Sequence, residues 1–145
     1  KIIIISLILF LSSCGFSPIY YDNKNVNFSI EKIDYTGDRE LNNFLKINLD
    51  KYKKEEVDNK IFIKSHSKYE KNILSKDGTG KVTSYKIEAQ VTFLVKSNNK
   101  KIKITEKKII DSMDDKFEEA RREKSVKRSF ASSISNKLLS ELTIN

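Results

Sequence analysis

The fold follows from one segment, YKIEAQVTFLV, which occupies residues 85–95. Its apolar side chains recur at every second position, at Tyr85, Ile87, Ala89, Val91, Phe93 and Val95. Because side chains alternate between the two faces of a strand, this pattern predicts a β-strand that buries one face. The polar residues 97–100 predict a tight hairpin turn, and a further strand begins at Ile102 and ends at Ile109 or Ile110. The centre of the fold is therefore predicted to be an antiparallel sheet.

Two further strands are predicted on the N-terminal side of this segment. In residues 26–35 the apolar positions alternate with a slip of one residue between Ile30 and Ile33, which indicates a strand with a bulge. Residues 61–69 alternate without a slip and predict the next strand. The stretch SKDGTGK, residues 75–81, has the composition of a loop. The last three strands then form an antiparallel meander.

Two helices are predicted, one on each side of the meander. Residues 39–53 carry apolar side chains at three- and four-residue steps, after a turn over 36–38 that ends in the capping residue Asp38. A second, long helix begins near Asp114, where acidic residues suit the positive end of a helix. Its predicted apolar stripe contains Phe117, Ala120, Val126, Phe130, Ile134, Leu138 and Leu142.

The predicted order of elements is β-α-β-β-β-α. The first helix connects two parallel strands, and such a connection is right-handed. Since each element has one apolar side, both helices are expected to cover the same face of the sheet. The expected fold class is α+β, a two-layer sandwich of about four strands in a mixed sheet with two helices on one face. The other face of the sheet is left without cover.

The first residues have the features of a bacterial lipoprotein signal. Lys1 precedes an apolar stretch over residues 2–11 that is too short to span a bilayer. The residues Leu-Ser-Ser at 11–13 then lead directly to Cys14, the only cysteine, which is the pattern of a lipobox. Its thiol would receive a diacylglyceryl group, and two or three acyl chains anchor a protein stably. The expected organisation is a signal peptide at 1–13, a lipidated tether at 14–25 and one domain at 26–145.

Composition restricts the classes of function. The 145 residues carry 28 Lys and Arg against 20 Asp and Glu, and the net charge of +8 favours anionic partners. One cysteine and one histidine exclude a disulfide framework and the usual Cys/His zinc site. No nucleophile–base pair stands at motif spacing, and Val82 follows Gly80-Lys81 where a phosphate loop requires Ser or Thr. We therefore expect no catalysis, no metal and no cofactor.

The start of the expected mature chain resembles a known family. Residues 14–20 read CGFSPIY directly after the lipobox. This resembles the opening of LptE, the lipopolysaccharide-assembly lipoprotein family, whose mature chains often begin Cys-Gly-Phe, one residue, Pro, an aliphatic residue and Tyr. The order of the later patterns is also similar, with a turn at Asp77-Gly78, a strand led by Tyr85, a hairpin and a charged last helix.

The resemblance implies a function and a set of partners. Members of this family are outer-membrane lipoproteins that plug the β-barrel LptD, help it assemble and assist lipopolysaccharide transport to the outer leaflet. For this chain it implies a one-to-one complex with an LptD-like barrel, contact with lipopolysaccharide, and a lipid anchor on the periplasmic side of the outer membrane. It implies no cofactor, no catalysis and no nucleic acid. The family fold, a small sheet with two helices packed on it, agrees with the predicted order of elements.

Positive charge is concentrated in the meander. Residues 60–81 carry six lysines and two acidic residues, and residues 100–108 carry five lysines and one acidic residue. Strand alternation directs most of these lysines away from the helices, so one open sheet face becomes basic. That face would suit phosphorylated lipid A sugars or an acidic barrel lumen, although a solvated face in a lysine-rich chain is the other interpretation. The candidate contacts are Lys64, His66, Lys68, Lys86, Lys101 and Lys103.

Three interpretations from other classes stay open. A lipoprotein that serves a lipid-transport ATPase on the periplasmic side, or one that binds a small ligand, would share the signal. A nucleic-acid-binding protein would use the same positive charge with Phe62 on the basic face, although an export signal argues against it.

The last helix carries a second group of cations. Because acidic residues stand among them at helical spacing, these cations are predicted to be solvated and paired within the helix. These cations are Arg121, Arg122, Lys124, Lys127 and Arg128.

Overall fold

The computed structural model describes residues 27–54 and 57–143. β1 (Ser29–Gly37) leads through α1 (Arg39–Leu49) and a 3-10 turn (Asp50–Tyr52) to β2 (Lys60–Lys76). β3 (Val82–Val95), β4 (Lys100–Asp111) and α2 (Lys116–Thr143) follow. The predicted signal peptide at 1–13 and the tether at 14–25 lie outside the described residues.

The four strands form one sheet in the order β1-β2-β3-β4. β1 runs parallel to β2, whereas β2, β3 and β4 are antiparallel neighbours. The register of β1 against β2 shifts between Ile30 and Lys32, where the slip in the apolar alternation predicted a bulge. The predicted α+β fold with element order β-α-β-β-β-α is therefore confirmed.

The core lies between the helices and the face of the sheet that they cover. β3 supplies the alternating residues of the opening segment, and Ile87, Ala89, Val91, Phe93 and Val95 are all buried. Burying one such large aliphatic or aromatic side chain contributes about 1.5–3 kcal/mol, so this strand is a main source of stability. The helices add Leu41, Leu45, Leu49, Val126, Phe130, Ala131, Ile134, Leu138 and Leu139.

β2 is longer than predicted, because the inward positions after Tyr69 carry polar side chains that the apolar pattern does not detect. The strand runs to Lys76 and does not end at Tyr69. At the next inner position, the Lys71 ammonium lies 3.0 Å from a Glu119 carboxylate oxygen and 2.9 Å from one of Glu123. The apolar alternation therefore stops before the strand does. For the same reason, the predicted loop at 75–81 is shortened at its start.

The first turns of α2 also differ from the predicted apolar stripe. Phe117 is 71% exposed and Ala120 is exposed, so both were placed wrongly in the stripe. The side chain that faces the sheet here is Glu119, which is only 5% exposed and accepts a hydrogen bond of 3.0 Å from the backbone N–H of Met113. A polar contact replaces the expected apolar one, and the apolar contacts of α2 begin at Val126.

β1 ends in a tight corner next to β2. Gly37 has φ of +95°, a region that favours glycine, and a Cβ there would collide with the backbone carbonyl of Ser67. Asp38 donates its backbone N–H to the same carbonyl at 3.2 Å, and its carboxylate caps α1. The corner also fixes Thr36, which lies opposite His66 on β2.

Candidate anion-binding face of the sheet

The outer face is the side of the sheet that points away from both helices. Residues in register across neighbouring strands point to the same side, so their side chains form rows across this face. One row contains Asp34, Lys64, Leu94 and Lys101, and the next contains Thr36, His66, Thr92 and Lys103. The six predicted contacts all lie on the outer face, at Lys64, His66, Lys68, Lys86, Lys101 and Lys103.

Three lysines at one end of the outer face have no acidic partner among residues 27–54 and 57–143. This unpaired lysine cluster consists of Lys64, Lys101 and Lys103, whose ammonium groups form no ion pair there. β2 and β4 are separated only by β3, which places their backbones about 10 Å apart. An ammonium group binds phosphate as a point charge. Three such charges on one surface fit a ligand that carries several anionic oxygens.

The acid nearest to this cluster in register is already neutralised. Asp34 lies opposite Lys64 in the β1–β2 register, but its carboxylate oxygens lie 3.0 Å from the Lys32 ammonium and 3.2 Å from that of Lys96. Hydrogen bonds to these two lysines hold the pKa of Asp34 below its ordinary value. Asp34 therefore stays ionised and bound to other cations, and the cluster keeps its positive charge.

Acidic residues neutralise the lysines at the other end of the outer face. Lys68 pairs with Glu70 at 2.5 Å, and the ammonium groups of Lys86 and Lys107 each lie 3.4 Å from a carboxylate oxygen of Glu88. The hydrogen bond to Glu70 raises the pKa of Lys68. Two of the six predicted contacts, Lys68 and Lys86, therefore lie on the expected face but share their charge with acids.

A depression of about 510 Å³ lies beside the unpaired lysine cluster. Leu94 is partly exposed in its floor, and Phe62, which is 41% exposed, lies two residues before Lys64 on the same face. Cations and apolar surface therefore stand side by side, as an amphiphile with a charged headgroup requires. The depression is lined by Asp34, Thr36, Lys64, Ser65, His66, Thr92, Leu94 and Lys101.

His66 is fixed within this depression by its neighbour on β1. Its Nδ1 lies 3.1 Å from the hydroxyl oxygen of Thr36. The same hydroxyl donates a hydrogen bond of 2.9 Å to the backbone carbonyl of Ser65. The imidazole ring is therefore held against β1 through one nitrogen.

Within residues 27–54 and 57–143, no group of three or more His, Cys, Asp or Glu side chains is arranged to hold a metal ion. No helix in the same ranges is both long and apolar enough to cross a bilayer. His66 is the single histidine of the chain.

The cations of α2 are divided between solvent and the protein interior. Arg121 pairs with Glu118, three residues earlier, at 2.8 Å, as predicted for a self-paired face. Lys127 is only 7% exposed, and its ammonium lies 2.8 Å from Glu40 of α1 and 4.0 Å from the centre of the Tyr69 ring. The prediction that Lys127 is solvated was wrong, because its acidic partner lies on another helix.

Sequence reasoning missed five of the residues that line the depression, namely Asp34, Thr36, Ser65, Thr92 and Leu94. Thr36 was assigned to a turn, but β1 continues to Gly37 and brings Thr36 opposite His66. Leu94 is an apolar residue at an outward position of β3, between the buried residues Phe93 and Val95. The period-two alternation could have identified Leu94, whereas the position of Thr36 depends on the parallel register of β1 and β2.

Three solved structures share this fold at low sequence identity. The crystal structure of rare lipoprotein B from Shewanella oneidensis has a TM-score of 0.57 and 15% identity, over 76% of this chain and 92% of that chain. The solution structure of an uncharacterized lipoprotein B from Nitrosomonas europaea has a TM-score of 0.57 and 18% identity, over 81% and 86%. A minor lipoprotein from Acinetobacter baumannii has a TM-score of 0.54 and 13% identity, over 79% and 94%.

Comparison by sequence adds no relative to these. No protein-family profile matches the chain, and no curated protein matches it. At identities of 13–18%, the likeness to the three solved structures is one of fold. The described part of the chain therefore has the fold seen in these three lipoproteins.

Proposed function

We propose that this protein is an outer-membrane lipoprotein of the LptE type that contacts lipopolysaccharide through the outer face of its sheet. The observation that carries the proposal is the unpaired lysine cluster beside a depression that exposes Leu94, with the exposed Phe62 on the same face. Phosphorylated lipid A sugars combine anionic groups with attached acyl chains. Such a ligand needs cations and apolar surface next to each other, which is the arrangement of Lys64, Lys101 and Leu94.

Two features support a lipid anchor in this proposal. The lipobox ending at Cys14 is followed by CGFSPIY, which resembles the start of mature LptE chains. Three proteins that share the fold are themselves named lipoproteins. A chain lipidated at Cys14 and released to the outer membrane would hold the domain on the periplasmic side.

Removal of the Cys14 thiol is expected to prevent lipidation of the protein. Cys14→Ala removes the thiol that a diacylglyceryl group requires, so incorporation of labelled fatty acid is expected to disappear and an uncleaved precursor to accumulate. Ser17→Ala, three residues later, is the matched control and should be labelled like the wild type. Labelling of the Cys14→Ala protein at the wild-type level would contradict the lipobox interpretation.

The proposed protein partner is a large LptD-like outer-membrane β-barrel, bound one to one. The outer face is covered by no described element, and its mixture of paired and unpaired charges suits a polar interface. Affinity capture from detergent-solubilised envelopes should recover such a barrel in equal proportion. Recovery of an inner-membrane ATPase complex would favour the alternative transport function, and recovery of nucleic acid would overturn the proposed location.

Charge reversal of the unpaired lysine cluster tests the lipid contact. Replacing Lys64, Lys101 and Lys103 with Glu should weaken binding to purified lipopolysaccharide at least tenfold, equivalent to about 1.4 kcal/mol. The loss should shrink at high salt, since screening weakens exposed charge interactions. The control has the same net charge and carries Glu at three exposed lysines outside the face, Lys46, Lys51 and Lys124. Equal affinities of the two triple variants would favour a merely solvated face.

A further inference from the structure

We propose that His66 is a proton-linked ligand of this site: its imidazolium donates from Nε2 to a phosphate group held by Lys64 and Lys101, so that ligand binding takes up a proton. This inference rests on the proposed lipopolysaccharide contact and adds to it a hydrogen-bond donor and a ligand chemistry. Three observations carry it: the hydrogen bonds of Thr36, the placement of the ring in the depression, and the charges that surround it.

The hydrogen bonds of Thr36 determine where His66 carries its proton. A threonine hydroxyl has one proton to donate, and Thr36 donates it to the backbone carbonyl of Ser65 at 2.9 Å. The hydroxyl oxygen can then only accept from Nδ1 of His66, which lies 3.1 Å away. Neutral His66 therefore carries its proton on Nδ1 and leaves a lone pair on Nε2. Protonation adds a second donor at Nε2 without disturbing the bond to Thr36.

His66 also lies among the side chains that would hold the ligand. It lines the depression together with Lys64, Lys101 and Thr92. Lys103 occupies the same row across the sheet, with Thr92 between them. Among residues 27–54 and 57–143, Nε2 of His66 forms no hydrogen bond that would occupy it. An anion bound by the lysines therefore meets a free nitrogen of the ring.

The charges around His66 couple its protonation to the ligand. Lys64 and Lys68 flank it on β2, and Lys101 and Lys103 lie on β4. On β1 the charged neighbours are Lys32 and Asp34, and Asp34 is already bonded by Lys32 and by Lys96, the first residue after β3. No free carboxylate of the described residues thus offsets an imidazolium here. A phosphate group supplies the missing negative charge, so proton and phosphate should bind together.

The test compares wild type with His66→Gln by calorimetric titration of purified lipopolysaccharide at about pH 5.5 and about pH 8, the interval in which histidine changes charge. Titrations in two buffers with different ionisation enthalpies give the number of protons taken up. The wild type should bind roughly five- to tenfold more tightly at the lower pH, which corresponds to about 1.0–1.4 kcal/mol. His66→Gln should lose this gain, because the glutamine amide carries no charge at either pH. Dephosphorylated lipopolysaccharide and inorganic phosphate serve as matched ligands.

Each outcome separates this inference from the proposed function. Phosphate groups titrate near pH 6 themselves, but they do so equally for both proteins, so the difference between the proteins isolates His66. Equal proton uptake by wild type and His66→Gln would overturn the inference and leave the lipopolysaccharide contact standing. The same proton uptake with the dephosphorylated ligand would also overturn it. Proton-linked binding of inorganic phosphate alone would keep the role of His66 but overturn the glycolipid as its ligand. Absence of lipopolysaccharide binding at both pH values would overturn the proposed function and this inference together.

Discussion

Gly37→Ala is expected to lower the free energy of unfolding by about 3–5 kcal/mol, a large part of the total of a domain of this size. Two costs combine at this residue. Its φ of +95° disfavours any side chain, and the added Cβ would collide with the backbone carbonyl of Ser67. The backbone of Ser67 is held in β2 and cannot move aside as the end of a flexible side chain could. Chemical denaturation monitored by circular dichroism measures the loss.

The other glycines of the described chain are matched controls for this prediction. Gly80 has φ of +87° but open space around it, so Gly80→Ala tests backbone strain alone and should cost about 1–2 kcal/mol. Gly78 has neither a positive φ nor a close neighbour, and Gly78→Ala should be neutral or stabilise by up to about 1 kcal/mol. A Gly37→Ala protein no less stable than Gly80→Ala would contradict the tight corner at the end of β1.

Glu119→Gln is expected to lower the free energy of unfolding near neutral pH by about 2–3 kcal/mol. Removing one partner of a buried ion pair costs about 3–5 kcal/mol, but the Lys71 ammonium keeps Glu123 at 2.9 Å as a second partner. Glu119 accepts from the Met113 backbone N–H at 3.0 Å and from the Lys71 and Lys116 ammonium groups at 3.0 and 3.2 Å. Glu118, whose side chain is half exposed beside Arg121, is the control, and Glu118→Gln should change little.

Glu119 should also make the stability of the protein depend on pH. The hydrogen bond from Met113, followed by those from Lys71 and Lys116, lowers the pKa of Glu119 from 4.5 to about 2 despite its burial. Because the folded pKa lies below the unfolded one, this stabilisation is fully present above about pH 4.5 and is lost as the pH falls towards 2. Other carboxyl groups with lowered pKa, such as Asp77 and Asp114, contribute to wild type and variant alike. Denaturation curves between neutral and acid pH should therefore converge for wild type and Glu119→Gln, and parallel curves would contradict this assignment.

The strands could be predicted where apolar alternation is continuous. β3 buries every second residue from Ile87 to Val95, and the slip between Ile30 and Ile33 correctly marked a bulge in β1. The pattern failed where an element turns a charged side chain inward. Lys71 on β2 and Glu119 on α2 are such residues, and each has its partner on a different element. A one-dimensional pattern cannot show that two distant charges meet, so the end of β2 and the start of the α2 stripe were misplaced.

The candidate site was predictable as a face, and its division into two ends was predictable only in part. Strand alternation directed Lys64, Lys68 and Lys103 to the same side of the sheet, as found. Lys68 is neutralised by Glu70, two residues further along the same strand, whereas the contact of Lys107 on β4 with Glu88 on β3 depends on cross-strand register. The contact of His66 with Thr36 depends on the parallel pairing of β1 and β2 in the same way. Register depends on which apolar faces are buried together and on the connections between strands, so the sequence of one strand alone does not reveal it.

Site-specific photocrosslinking tests the central claim most directly, namely that the outer face beside the unpaired lysine cluster contacts lipopolysaccharide. Thr92 lies in the depression between His66 and Lys103, and a photoreactive amino acid there would report on whatever occupies it. The reference position is Ile47, which is 64% exposed on α1, away from the outer face. In irradiated cell envelopes, we expect an adduct with lipopolysaccharide from position 92 and none from position 47. Equal lipopolysaccharide adducts from both positions, or no such adduct from position 92, would contradict the account.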